Sequence, residues 1–113
     1  GVTDDVLLAA AANPNSIATG REIYQAACVG CHGAEGQGMS GPNLTDDYWL
    51  HGGEPPQIFT TLWTGIPTKG MPPWGPVYNA QVKDIVSYLL SVKGANLAGK
   101  EPQGVNSQGV VAP

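Results

Sequence analysis

The run Cys28-Val29-Gly30-Cys31-His32 constrains this chain more than any other feature. On a helical turn, positions 28, 31 and 32 stand at i, i+3 and i+4 and share one face. Two thiols and an imidazole then leave one short segment in the same direction. This is the Cys-x-x-Cys-His arrangement of covalent haem attachment, in which the thiols add to the vinyl groups and the imidazole points at iron. One segment fixes the ring, its tilt and one ligand.

Three other chemistries use the same residue types. A structural zinc site needs four ligands, and the only Cys and His present are Cys28, Cys31, His32 and His51, with Cys31 and His32 adjacent and badly placed to share a tetrahedral ion. A thioredoxin-like redox pair expects its Cys-x-x-Cys within alternating strands and helices, a pattern this chain lacks. A plain disulfide between the two cysteines is conceivable but gives His32 no role.

Size and composition agree with a cofactor-centred fold. The chain has 113 residues, about one domain, and a chain this short buries a modest core that a staple such as a haem would supplement. Only 12% of residues are charged, against an ordinary value of about 25%, and there are 16 Gly and 10 Pro, which signals long constrained loops. Nine acidic against five basic residues give a net charge of −4, a poor basis for binding nucleic acid, which depends on Lys and Arg contacts to phosphate. The longest apolar run, residues 6–12, has seven residues, far short of the ~20 that cross a bilayer. No membrane insertion by this segment is expected, while an anchor in a parent chain stays open. No basic n-region precedes a longer apolar stretch, so any signal peptide lies outside this sequence.

Along the chain, Thr3 followed by Asp4 and Asp5 reads as the cap and acidic first turn of a short helix that ends by Asn13 and Pro14. Thr19, Gly20, Arg21 and Glu22 fit a capping box, which predicts a helix from near Gly20 toward Cys28. Residues 30–53 read as a long ordered loop, with a short helical turn capped by Thr45. Pro55 or Pro56 and Gly65 bracket a helix with Ile58, Phe59, Leu62 and Trp63 on one face. Asn79 is placed to cap a final amphipathic helix carrying Val82, Ile85, Val86, Leu89 and Val92, closed by Gly94. Residues 1–15 are thus expected to form an N-terminal short helix or extension, residues 16–94 the haem domain, and residues 95–113 a C-terminal tail or linker.

Haem in electron carriers commonly takes Met opposite His, which raises the potential and closes the iron. The candidates are Met39 and Met71. Met71 precedes Pro72, Pro73 and Trp74, whose prolines fix the backbone and can hold a sulfur still. Met39 follows His32 by seven residues, within reach at about 25 Å of extended chain, but Gly36, Gly38 and Gly41 position it poorly. Met71 is therefore the expected axial ligand and Met39 flexible core filler. His51 reads as a surface or propionate-side residue and is the alternative ligand. Tyr48, Trp49, Trp63 and Trp74 suit packing on porphyrin or donation to a propionate, and ordinary core packing explains each almost as well.

Taken together, Gly20 and Tyr24, the run 28–32, Gly41-Pro42-Asn43-Leu44, Met71-Pro72 and Tyr88-Leu89 follow the order of a class I cytochrome c, which the chain resembles over roughly residues 16–94. The resemblance implies an all-α cytochrome c fold with three to five short helices around one covalent haem c. It implies that the first and last helices cross at Gly20 with Tyr24 and Tyr88 nearby. It also implies that the Pro42 carbonyl receives the free nitrogen of His32, and that Leu44 joins the haem contacts. The run 42–49, followed by Gly52-Gly53 and later by 70–75, is similar to haem domains of the dihaem subunit of cbb-type cytochrome oxidases. Those subunits carry two haem motifs and membrane anchors, whereas this sequence has one motif and no anchor. The lysine ring of mitochondrial-type carriers is lacking, with only Lys69 beside the Met loop.

These features predict a monohaem carrier of single electrons with His32 and Met71 closing the iron, rather than a catalytic centre. By resemblance, its partners are redox proteins such as a quinol-oxidising complex or a terminal oxidase, and its place is the periplasm or the outer face of a bacterial membrane. A haem enzyme or gas-binding domain with a displaceable sixth ligand is the alternative, and nothing near Met71 supplies an obvious distal acid or base for it.

Overall fold

The computed structural model describes residues 2–113. These residues form α1 (Asp4–Ala11), α2 (Pro14–Ala27), α3 (Val29–His32), α4 (Pro55–Thr64), α5 (Gly75–Tyr78) and α6 (Val82–Val92), with no strand longer than an isolated bridge among them. The all-α class expected from the sequence is the one observed.

Helix α1 starts where its sequence says. Thr3 Oγ1 accepts from the Val6 amide at 3.3 Å, and Asp4 and Asp5 occupy the first turn, where negative charge suits the helix dipole. Leu7 and Ala10 turn inward.

Helix α2 begins earlier than the Thr19 capping box predicts. Asn13 caps it, its Oδ1 accepting from the Asn15 amide at 2.9 Å, and Pro14 takes the first helical position, where a missing N–H is harmless. The Asn13-Pro14 pair that ends α1 therefore also starts α2, and Thr19 lies inside the helix. The Thr45 turn is likewise not helical: Thr45 Oγ1 instead donates to Asn43 Oδ1 at 2.7 Å and accepts from the Leu97 amide at 3.0 Å.

Helices α2 and α6 cross in close contact. A Cβ on Gly20 would overlap the Asp84 carbonyl and lie 2.9 Å from Tyr88 Cβ, so only glycine lets the two backbones approach this far. Beside the crossing, Tyr24 is fully buried and its ring centroid lies 5.1 Å from that of Tyr88. Val82, Ile85, Val86 and Leu89 fill the core from α6. Its α-helical part starts at Val82, because Asn79 has φ of 49° and opens a 3-10 turn rather than acting as the cap.

Helix α4 is bounded as expected, with Pro55 first and Gly65 after its end. It buries Ile58 and Leu62, packs the partly buried Phe59 against the same core and leaves Trp63 on its outer side.

Residues 95–113 hold no regular helix, yet they are not a free tail. Asn43 Nδ2 donates to the carbonyls of Leu97 at 3.0 Å and Lys100 at 3.3 Å, and the Lys100 amide donates to Gln37 O at 2.9 Å. Trp49 and Val105 exchange both backbone bonds as an antiparallel bridge, at 2.9 and 3.2 Å. The segment is a strap laid over the loop of residues 33–53, held by backbone groups that no periodicity could reveal.

Candidate functional site

A cavity of about 600 Å³ opens between α3, the loop of residues 33–53, α4 and the Met71 segment. That volume falls in the range that buries most of a sizeable ligand. Its apolar floor comes from Ile58 and Leu62 on α4 and from Leu89 on α6.

Cys28, Cys31 and His32 all line this cavity. They do so because α3 is a single turn that follows α2 at once, with the His32 amide bonded to Cys28 O at 3.0 Å. Both cysteines are free thiols rather than a disulfide, Cys31 exposed and Cys28 half-buried. Burial pushes the Cys28 thiol up to about 11, with Cys31 adding to the shift.

The imidazole is held from behind. His32 Nδ1 donates to the Pro42 carbonyl at 2.9 Å, which leaves Nε2 as the nitrogen free to ligate. Burial holds the ring below its ordinary pKa, against the opposing effect of that hydrogen bond and with Lys100 adding to the lowering. A neutral imidazole is the ligating form.

Met71 lines the same cavity. Its backbone is clamped on both sides by Ile66, with Ile66 N to Met71 O at 2.9 Å and Met71 N to Ile66 O at 3.1 Å, across a turn closed at Pro67–Lys69. The prolines after Met71 are thus only part of its restraint, and the pairing with Ile66 does the rest. Met39 is not the core filler expected of it: on a glycine-rich surface loop it is 60% exposed, and it does not line the cavity.

Pro42, Leu44, Tyr48, Trp49 and Trp74 line the cavity as well, and so does exposed His51. Trp63 does not: it is 39% exposed and stacks on Phe59 at 5.5 Å between centroids, because its position on α4 faces away from Ile58 and Leu62. Ile66, Lys100 and Gln103 also reach the cavity and were not singled out from the sequence. For Lys100 and Gln103 the sequence holds no signal, since they arrive on the strap.

The residues present fit a haem. Two thiols and an imidazole occupy one face, a thioether reaches the same cavity, and the buried Trp49 Nε1 and Gln103 Oε1 have no partner within the protein. A propionate-bearing ring offers groups for such atoms.

Comparison with known proteins points the same way. A family model described as cytochrome C oxidase, cbb3-type, subunit III matches residues 15–89. Cbb3-type cytochrome c oxidase subunit CcoP of Rubrivivax gelatinosus is 40% identical over 90 residues, covering 77% of this chain and 29% of that protein. Subunit FixP of Sinorhizobium medicae is 34% identical over 98 residues, covering 74% and 34% respectively. The chain spans about a third of the length of the curated relatives it matches. Among solved structures, cytochrome cL of Methylophaga aminisulfidivorans aligns with a TM-score of 0.64 at 24% identity, covering 87% of this chain and 74% of that one, and shows the shared fold.

Proposed function

Because this chain belongs to the cbb3-type cytochrome c oxidase subunit III family, we propose that it is a one-electron relay whose covalent haem c is joined at Cys28 and Cys31 and ligated by His32 and Met71. What carries this reading is that the His32 ring and the Met71 backbone, each anchored by its own hydrogen bonds, line one cavity that Met39 does not reach.

When bound, the haem supplies ferrous and ferric states that differ by one electron. The chain's residues do the rest. Pro42 orients the His32 ring and keeps Nδ1 protonated, so Nε2 carries the lone pair. Ile66 holds the Met71 segment in place, so the sulfur needs no large rearrangement between redox states. With His32 and Met71 both holding the iron, no substrate would need to bind metal. Ile58, Leu62 and Leu89 keep water from the buried side, and low local polarity favours the less charged ferrous centre. Pro42, Leu44, Tyr48, Trp49 and Trp74 serve as contacts around the ring, and Trp63 serves as outer packing. The exposed Cys31 brings the attached edge of the ring to the surface, where electrons pass to a partner.

The relatives are oxidase subunits by name, which supports a terminal oxidase complex as electron acceptor; a quinol-oxidising complex as the source is what the resemblance to class I cytochromes c implies. The haem domain then works in the periplasm or on the outer face of a bacterial membrane. Among the described residues no helix is long and apolar enough to cross a membrane.

The ferric absorption spectrum tests the ligand set. Ferric protein shows the weak long-wavelength band of Met-ligated haem, Met71→Ala abolishes it, and Met39→Ala and His51→Ala leave it in place. Survival of the band in Met71→Ala would overturn the assignment.

A further inference from the structure

We propose that the C-terminal strap, residues 95–113, completes a carboxylate-binding site for a haem propionate, with Gln103 from the strap and Trp49 from the loop beneath it as the two donors. The inference rests on the haem occupying the cavity described above, and it reaches beyond the family match, which ends at residue 89.

Three buried side-chain atoms among the described residues lack a partner, and two of them, Trp49 Nε1 and Gln103 Oε1, belong to residues lining the same cavity. Buried polar atoms are nearly always satisfied, so an unpartnered pair on one cavity points to an absent polar ligand. The pair is tied together by the backbone bridge between Trp49 and Val105, two positions along the strap from Gln103. Lys93 Nζ stands over the indole, 5.9 Å from the ring centroid, and donates to Gly53 O at 2.7 Å.

The chemistry of the ligand follows from the donors and the charge. Indole N–H can only donate, so its partner is an acceptor. The Gln103 amide presents Nε2 where Oε1 stands after a half-turn about its last bond, which gives a second donor on the same cavity. The whole chain carries a net charge of −4, yet among the described residues no Asp or Glu lines this cavity, while Lys69 and Lys100 do. An anionic acceptor fits, and the propionate carboxylate is the anion the haem brings.

Redox-difference infrared spectroscopy on the holoprotein tests this, with haem labelled at the propionate carboxyls to assign the carboxylate stretch. Gln103→Leu and Trp49→Phe are each expected to shift that band, and Gln103→Leu to lower the midpoint potential, because a less compensated carboxylate favours ferric iron. Val111→Ser, on an exposed part of the strap outside the cavity, leaves the band where it is. If the labelled band stays unchanged in both variants while haem remains attached, the strap does not bind the propionate. If the wild-type protein gives no pyridine haemochrome spectrum of covalent haem, the haem reading itself fails, and this inference with it.

Discussion

His32 Nδ1 donates to the carbonyl oxygen of Pro42 at 2.9 Å, and the residue that precedes Pro42 has no side chain to disturb the ring. A Cβ on Gly41 would stand 2.8 Å from His32 Cε1 and 2.9 Å from Nδ1. Gly41→Ala therefore has to rotate the imidazole or move the loop. We expect a loss of about 1 to 3 kcal/mol, the usual effect of overpacking, together with changed ferric EPR g values while the haem stays attached. Unchanged g values would show that the ring orientation does not depend on this contact.

The helix crossing gives a second prediction. Gly20→Ala places a methyl group into the Asp84 carbonyl and the side of Tyr88, neither of which can retreat without parting α2 from α6. The expected destabilisation is about 1 to 3 kcal/mol, read from denaturant midpoints, with larger residues worse than Ala.

Asn43 ties the loop to the strap with every polar atom of its side chain engaged. Oδ1 accepts from the Thr45 amide at 2.9 Å and from Thr45 Oγ1 at 2.7 Å, and Nδ2 donates to Leu97 and Lys100. Asn43→Ala strands these buried partners, at about 1 to 3 kcal/mol for groups left unsatisfied. Hydrogen exchange should report the loss as faster exchange of the amides of Leu97, Lys100 and Val105. Uniform acceleration across α2 and α6 instead would mean that Asn43 supports the whole fold.

Asp46 predicts a pH dependence. Burial raises its carboxyl above the ordinary 3.8, opposed by the Tyr48 amide and aided by Asp47. The folded state therefore binds this proton more tightly than the unfolded chain does. The contribution is fully present below 3.8 and is lost as pH rises through the folded value. Asp46→Asn removes the charge and keeps an Oδ1 to accept from the Tyr48 amide, a bond of 2.9 Å in the parent. The variant should be more stable than the parent near neutral pH, and the difference should shrink as pH approaches 3.8, measured by denaturant unfolding at both. A gap that does not change with pH would exclude Asp46 as its source.

Much of the fold was legible because its signals are local. Thr3, Pro55, Gly65 and the apolar face of 82–92 state their helices in neighbouring residues, and the structure repeats them. Where two local signals competed, neighbours could not arbitrate. Thr19 and Asn13 both offer an N-cap, and the earlier one is used, with Asn13 capping and Pro14 in the first helical position. Trp63 shows the same limit: its helical spacing fits a wide apolar face, but the cavity takes only the part of that face bearing Ile58 and Leu62.

By itself the sequence determined that Cys28, Cys31 and His32 leave one helical turn together, the arrangement on which the proposed haem attachment rests. It determined the helix faces for the same reason, while the glycine at the crossing was implied by the resemblance to class I cytochromes c. For the methionine the sequence favoured Met71 through the prolines that follow it, and the tertiary structure added the backbone pairing with Ile66 that completes its restraint at the cavity. The tertiary structure alone decided that residues 95–113 close over the loop and bring Gln103 beside Trp49. Those contacts run through backbone amides and carbonyls, which every residue carries and no side-chain pattern announces.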